Sequence, residues 1–269
     1  MRKGKSMKLL IAIPSKGRSK SIYRRTLRWI TRTGYDVRIF VEPQDIEAYR
    51  AGIEHANYSE WLDIHPDQFI DIGQNDQGLG YAKDFIKQYA LDNGYDLVFK
   101  MDDDVLRFAP RGPFKDDGGM IIDFAGAVGA CRKAFGRYPD IGAIGFPYRN
   151  ELYETAKEWT HINARLQTCY IIRAELLQGG FNTLEDFAQY AYLRSQNKVT
   201  TRYGLIGIDC AEVGTGKGGL QAFDREAQLD VEIPKLQEIY PAVRFKPVKG
   251  KKWSIEPDMT GEFFGVVKL

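Results

Sequence analysis

The sequence predicts an α/β fold with a mostly parallel central sheet flanked by helices, and three observations carry that expectation. Short apolar runs alternate with amphipathic segments through the first half of the chain, which is the pattern of βαβ units. The run Leu97, Val98, Phe99 is bounded by charge, as an interior strand of such a sheet is. That strand passes directly into Asp102, Asp103 and Asp104, and open parallel sheets bind ligands beyond the carboxyl ends of their strands.

Residues 8–13 form the first expected strand, stopped by the turn chemistry of Pro14, Ser15, Lys16 and Gly17. A helix is expected from residue 19 or 21 to about residue 32. Residues 37–41 make a second strand ending at Glu42 and Pro43, after which Asp45 caps a short helix through residue 51. Residues 69–72 are a third strand. The glycine-bearing run 73–80 then opens a helix over 81–91, stopped by Asn93 and Gly94. Beyond the aspartates, residues 107–119 are rich in Pro, Gly and charge and read as a mobile loop, of the kind that closes over substrate. Residues 121–135 read as a helix whose Ala125, Gly126, Ala127, Gly129 and Ala130 suit close packing. Further strands are expected at 141–146 and 168–172, a helix within 182–197, and a return to the sheet from residue 198. The prolines at 234, 241, 247 and 257 make residues 234–269 an irregular wrap around a single domain, 1–269.

With 43% hydrophobic and 28% charged residues over 269 positions, the chain has the composition of a globular protein and the length for a substantial core. No apolar run reaches membrane-spanning length, and the basic start MRKGKSMK leads only into a short strand before Pro14, so a cytoplasmic protein is expected. Cys131, Cys169 and Cys210 lack zinc spacing and read as reduced, mostly buried fillers. Net charge is only +2, yet the first 32 residues hold eleven Lys and Arg and no acid. Arg24, Arg28 and Arg32 recur every fourth residue and give either a phosphate-facing stripe or a plain solvated face; Lys246, Lys249, Lys251 and Lys252 form a second cluster.

Along an extended chain alternate side chains share a face, so Asp102 and Asp104 can grip one divalent ion while Asp103 turns away. Hard carboxylate oxygens suit Mg²⁺ or Mn²⁺, especially where substrate phosphates complete the shell, although an acidic loop capping a strand has the same composition. Pro14 to Arg18 combines the backbone freedom of Gly17 with two cations at the end of the first strand, which suits a nucleotide. Lys83, at the positive end of its helix, is within reach of a diphosphate or is a solvated helix lysine. Glu185 and Asp186 start a helix, where acids favour the dipole and where a carboxylate beside an electrophile also serves as general base. His161 is one of just three histidines and could bind metal or substrate. Gly214 to Gly219 fails as a P-loop, because the first glycine is wrongly spaced and Lys217 is followed by Gly218.

Taken together over residues 7–200, these features resemble a GT-A glycosyltransferase, a Rossmann-like fold that uses nucleotide sugars and an Asp-x-Asp metal motif. Four landmarks fall in that family's order: Pro14 to Arg18; Gly78-Leu-Gly-Tyr-Ala-Lys-Asp84, similar to a Gly-x-x-x-Ala-Arg-Asn helix start; Asp102 to Asp104; and Tyr170 to Leu177 followed by Gly-Gly-Phe and Glu185-Asp186. Ile13 to Arg18, Val41-Glu-Pro43 and the compact size resemble, within that fold, the TET/JBP-associated glycosyltransferases, relatives of the base J glucosyltransferase. That group is encoded largely by phages and glycosylates hydroxymethylated pyrimidines in DNA.

The resemblance implies a nucleotide-sugar half over 1–105, an acceptor and catalytic half over 106–233, and the wrap beyond. It implies a nucleotide sugar, such as a UDP-sugar, held by Pro14, Ser15, Lys16, Arg18, Glu42, Asp76, Lys83 and Asp103, with Mn²⁺ or Mg²⁺ on Asp102 and Asp104. Asp186 then takes the role of catalytic base in an inverting transfer, with Glu185 as the other candidate. If the acceptor is 5-hydroxymethylcytosine or another 5-hydroxymethylpyrimidine in DNA, the base has to leave the stack, and Tyr148, Arg149, Trp159 and His161 are candidates to line its pocket. The late histidine that often completes the family's metal site has no counterpart after His161. A glycan or small-molecule acceptor, a nucleotidyltransferase, and a catalytically idle DNA-binding module remain alternative readings.

Overall fold

A computed structural model describes residues 7–55, 63–110, 120–151, 159–160, 163, 166–211, 225–241, 244–247 and 255–258. Its centre is an eight-stranded sheet built from β1 (Leu9–Ser15), β2 (Asp36–Val41), β3 (Phe69–Asp71), β4 (Leu97–Lys100), β6 (Ile141–Gly145), β7 (Trp159–Thr160), β8 (Tyr170–Arg173) and β9 (Val199–Tyr203), in the order β3-β2-β1-β4-β8-β6-β9-β7. β3, β2, β1, β4, β6 and β9 run one way, and β8 and β7 run against them. The mostly parallel sheet expected from the alternating pattern is therefore present, with β8 inserted in reverse between β4 and β6.

Strand parity divides the core into two faces. Leu9, Ile11 and Ile13 of β1, with Leu97 and Phe99 of β4, point to the larger cluster, which is covered by α1 (Leu27–Ile30), α2 (Ile46–His55) and α4 (Met120–Arg137). Leu10, Ala12 and Val98 point the other way, against Tyr170 and Ile172 of β8 and under α3 (Gly78–Asp92). α5 (Glu185–Ser195) reaches that second face through Leu193, while its Phe187, Ala188 and Ala191 pack on Leu229, Leu236 and Tyr240 from the region of α6 (Arg225–Ile239).

Several expectations are corrected. The single helix expected to end near residue 32 is a 3-10 turn at Ile22–Arg24, the short α1 and a second 3-10 turn at Thr31–Thr33. The segment is bound from outside: Thr26 Oγ1 and Trp29 Nε1 both donate to the Val105 carbonyl, at 3.2 Å each, so tertiary hydrogen bonds override helical continuity. The expected loop begins as a strand instead, because β5 (Val105–Pro110) pairs antiparallel with β10 (Ile206–Cys210); residues 111–119 lie outside the described residues. The expected irregular wrap contains the end of α6, which continues through Pro234, and β11 (Arg244–Pro247) pairs with β12 (Ile255–Asp258). Cys131 and Cys169 are buried and Cys210 half-buried, and all three are free. Among the described residues no helix is long and apolar enough to cross a membrane.

Candidate active site

The carboxyl ends of β1 and β4 lie side by side, so Ser15 and the three aspartates meet at the edge of the sheet. The parity that separates the two hydrophobic clusters also sorts the polar groups. Asp103 is buried and turned to the α2 side, where it accepts a hydrogen bond from Ser15 Oγ at 2.5 Å and pairs with Arg18. The Ser15 hydroxyl also meets Tyr49 Oη at 2.6 Å, and the same Tyr49 oxygen accepts the Arg18 N–H at 2.9 Å. Burial pushes the Asp103 carboxyl up to about 6 against the pull of Arg18. Beside it, Lys16 bridges Glu42 at 2.9 Å and Asp76 at 2.5 Å, while the Gly17 N–H donates to Asp45. Gly17 has a φ of 66°, a left-handed conformation that glycine takes without steric cost. Six of the residues expected to hold a nucleotide, Ser15, Lys16, Arg18, Glu42, Asp76 and Asp103, are thus linked by hydrogen bonds or ion pairs into two adjoining groups, with Pro14 preceding Ser15 in β1.

Asp102 and Asp104 remain part-exposed, at 35% and 26% of their side chains. Each touches a protein cation: Lys100 Nζ lies 2.6 Å from Asp102, and Arg18 lies 3.2 Å from Asp104. Two hard oxygen donors on alternate residues, with the intervening acid drawn inward, have the chemistry that suits Mg²⁺ or Mn²⁺, with Lys100 and Arg18 sharing the carboxylates. Among the described residues no third His, Cys, Asp or Glu completes a metal-binding group with them.

On the opposite face of β4, Lys100 is fully buried and lies across the sheet from Tyr170, its register partner on β8. Its ammonium reaches Asp102, Glu185 at 3.4 Å and the Thr168 carbonyl at 3.5 Å, and sits 5.8 Å from the Tyr170 ring centroid. Burial pushes the Lys100 ammonium down, but Asp102 and Glu185 outweigh it and the net shift is strongly upward. Lys83, on α3, is also fully buried and binds Glu185 at 2.6 Å. Burial opposes ionisation of Glu185, yet Lys100 and Lys83 hold its carboxyl well below the usual range. Lys83 is therefore not an open phosphate ligand as expected, because its position on α3 faces inward toward Tyr170 and Glu185. At the positive end of α3 the Gly80 N–H donates to Asn182 Oδ1 at 2.8 Å.

Asp186 follows Glu185 on the first turn of α5 and is half-exposed. It acts electrostatically on Lys100 and on Tyr148, and both of these also feel Asp102. Tyr148 Oη meets Thr168 Oγ1 at 2.6 Å, and burial pushes its phenol up to about 12. Arg149, next along the chain, lies 3.4 Å from Asp209, which also binds Arg107 at 2.7 Å. Trp159 is separate, packed edge-on against Tyr203 on the border strand β7, and His161 lies outside the described residues, as do Lys217 and Lys249 to Lys252.

Sequence reasoning placed none of Lys100, Thr168 and Tyr170 in the site, although Tyr170 opens one of the four landmarks. Lys100 carried a signal, since it shares strand parity with Val98 on one side and Asp102 on the other, which puts a lysine on a buried face.

A mostly parallel sheet that gathers ionised groups at its carboxyl edge, flanked by helices on both faces, defines an α/β enzyme of the doubly wound type. The chain belongs to the TET-associated glycosyltransferase family, whose model matches residues 9–204. It is a glycosyltransferase, and its mostly parallel sheet flanked by helices is the arrangement that the sequence landmarks led one to expect. No curated protein sequence matches the chain. Among solved structures, the crystal structure of a mycobacterial protein is similar at 11% identity with a TM-score of 0.49, over 93% of this chain and 83% of that one. A structure of GalNAc-T7 with UDP, GalNAc and Mn²⁺ is similar at 9% identity with a TM-score of 0.47; 87% of this chain spans 54% of that one.

Proposed function

We propose that this glycosyltransferase moves a sugar from a UDP-sugar to the hydroxyl of a 5-hydroxymethylpyrimidine in DNA, with inversion and with Asp186 as base. The observation that carries the reading is the inward turn of Asp103, which leaves Asp102 and Asp104 part-exposed at the sheet edge within reach of the groups around Asp186. Ser15, Lys16, Arg18, Glu42, Asp76 and Asp103 form the nucleotide end, and the cations among them face the negative charge of a diphosphate. Asp102 and Asp104 would hold Mn²⁺ or Mg²⁺, which supplies Lewis-acid stabilisation of the leaving diphosphate when bound.

Asp186 is the better base of the two acids at the start of α5. Glu185 is committed to Lys83 and Lys100, which lower its basicity and fix it in place. Asp186, which hydrogen-bonds Glu185 and acts electrostatically on Tyr148, accepts in this reading the proton of an acceptor hydroxyl as that oxygen attacks the anomeric carbon. Tyr148 and Arg149 stand at the acceptor side, where a base turned out of its stack would enter. The DNA acceptor is further supported by the resemblance to glycosyltransferases of hydroxymethylated DNA and by the exposed cations Lys20, Arg24 and Arg28. The same reading makes the protein cytoplasmic, where DNA and nucleotide sugars meet.

The deciding experiment incubates hydroxymethylcytosine DNA and hydroxymethyluracil DNA with the protein, Mn²⁺ and a panel of UDP-sugars, followed by mass spectrometry of the released nucleosides. A hexose-sized or N-acetylhexosamine-sized gain on one modified base is the expected result. UDP release without any gain on DNA would move the acceptor to a glycan or small molecule. In the same assay Asp186→Asn lowers transfer by about two to four orders of magnitude while UDP binding with Mn²⁺ persists. Preserved transfer would remove Asp186 from the role of base.

A further inference from the structure

We propose that Glu232, on α6, is a positioning residue that holds the catalytic end of α5 in register with the sheet edge. The proposal rests on the assignment of Asp186 as base. Glu232 is 3% exposed, yet no Lys or Arg among the described residues pairs with it. Its charge is met by backbone: Oε1 accepts the Asn182 N–H at 2.6 Å, and Oε2 accepts those of Thr183 at 3.0 Å and Leu184 at 2.8 Å. Gln228, one turn earlier on α6, donates to Oε1 at 3.2 Å. These three amides belong to the residues immediately before Glu185 and Asp186, and Leu184, the residue that caps α5, has no capping hydrogen bond from its own side chain. An anion delivered from another helix therefore binds the three amides that lead into α5, just ahead of the first-turn amides that a local cap would bond.

The same loop is gripped from the other side by α3. Asp84 Oδ1 accepts the Gly179 N–H at 2.9 Å, and Asn182 Oδ1 accepts the Gly80 N–H at 2.8 Å. Lys235 of α6 donates to the Gly180 carbonyl at 2.9 Å, and Gln189 of α5 closes the loop's start by accepting the Gln178 N–H at 2.9 Å. The run from Gln178 to Leu184 is thus a clamp between the helix that carries Lys83 and a helix that lies beyond the matched family region of 9–204. Within it, Glu232 alone makes three bonds to consecutive amides, so it fixes the direction in which α5 sets out and hence where Asp186 stands relative to Lys100 and Tyr148.

The test compares Glu232→Gln, Glu232→Asp and Asp186→Asn in the full chain by three readouts: amide exchange at 182–184, UDP binding with Mn²⁺, and the turnover of UDP-sugar. Glu232→Gln is expected to speed exchange at these amides by about tenfold or more. It leaves UDP binding within about twofold and lowers turnover by about a hundredfold, the effect of a small misplacement of a reacting group. Glu232→Asp restores part of both losses, and it also keeps the test open should the Gln variant fail to fold. Combined with Asp186→Asn, Glu232→Gln causes no further loss, because both act on one function. Unchanged amide exchange, unchanged turnover, a parallel fall in UDP binding, or additive losses in the double variant would each overturn the proposal. Normal turnover in Asp186→Asn alone would sink the base assignment instead, and amide exchange would still decide whether Glu232 holds the loop.

Discussion

The pair Lys83–Glu185 shows how a fully buried ammonium is tolerated in this protein: its charge is answered at 2.6 Å by a carboxylate that a second buried lysine, Lys100, also holds. Removing one member of such a group leaves an uncompensated charge away from water, so Glu185→Gln should cost about 3–5 kcal/mol in a denaturant titration. Lys83→Met on that background should recover much of the loss, since a well-packed apolar pair avoids desolvation altogether. The pH dependence has a definite sign. Glu185 is held below its ordinary value of 4.5, so its contribution is present above that pH and is lost as pH falls further. The stability gap between the parent and Glu185→Gln should therefore be constant near neutrality and narrow below about pH 4.5. Asp102 to Asp104 and Glu185-Asp186 were legible because acids at a strand end or a helix start have chemistry that spacing alone suggests. The inward role of Lys83 was not, because whether a helix lysine reaches solvent or a buried carboxylate depends on α5, about a hundred residues away.

Backbone contact between elements sets the spacing of α3, the Gly179 loop and α5. A Cβ on Gly179 would stand 2.0 Å from the Gly80 carbonyl oxygen and 2.5 Å from the Asp84 carboxylate, and one on Gly80 would stand 2.8 Å from the Phe181 nitrogen. Gly179→Ala should therefore force the loop off α3, destabilise the protein by about 1–3 kcal/mol and slow turnover through displaced α5. Thermal unfolding measured beside UDP-sugar turnover checks both effects; an unchanged protein would mean that the loop has room to move. The parallel strands and the helix after residue 77 were readable from period and punctuation. α6 was not: its buried positions among the described residues are Leu229, Glu232 and Leu236, with Tyr240 just past its end, a stripe with a carboxylate within it. Hydropathy cannot mark a buried Glu, and Pro234 reads as a breaker. The helix survives it because Pro234 and Asp230, whose carbonyl the proline leaves without its usual donor, are both exposed. β5 escaped for a similar reason, since its partner β10 is about a hundred residues distant and its Arg107 is paired there with Asp209.

The molecule's charge is close to balanced at +2, but the balance is not local. Acids are absent before Asp36, and Lys20, Arg24 and Arg28 are exposed with no ion pair among the described residues. The segment carrying the two arginines is tied to the Asp run by Thr26, whose hydroxyl donates toward the Asp102 carbonyl at 3.4 Å and the Val105 carbonyl at 3.2 Å, and by Trp29. Unpaired cations are therefore fastened beside the candidate active site by the same residues that interrupt the helix. A polyanionic acceptor would release counterions on reaching this surface, and the salt dependence of binding counts the phosphates that are neutralised. Binding of duplex DNA should weaken with a log–log slope of about −0.9 for each phosphate contacted. Replacing Lys20, Arg24 and Arg28 together by Ala should reduce the magnitude of that slope by up to about three, while UDP binding with Mn²⁺, which the proposed function assigns to the separate network of Lys16 and Arg18, should stay as it was. A slope unaltered by the triple substitution would place the DNA elsewhere on the protein, and a loss of UDP binding in the same variant would show that these cations belong to the nucleotide end of the site.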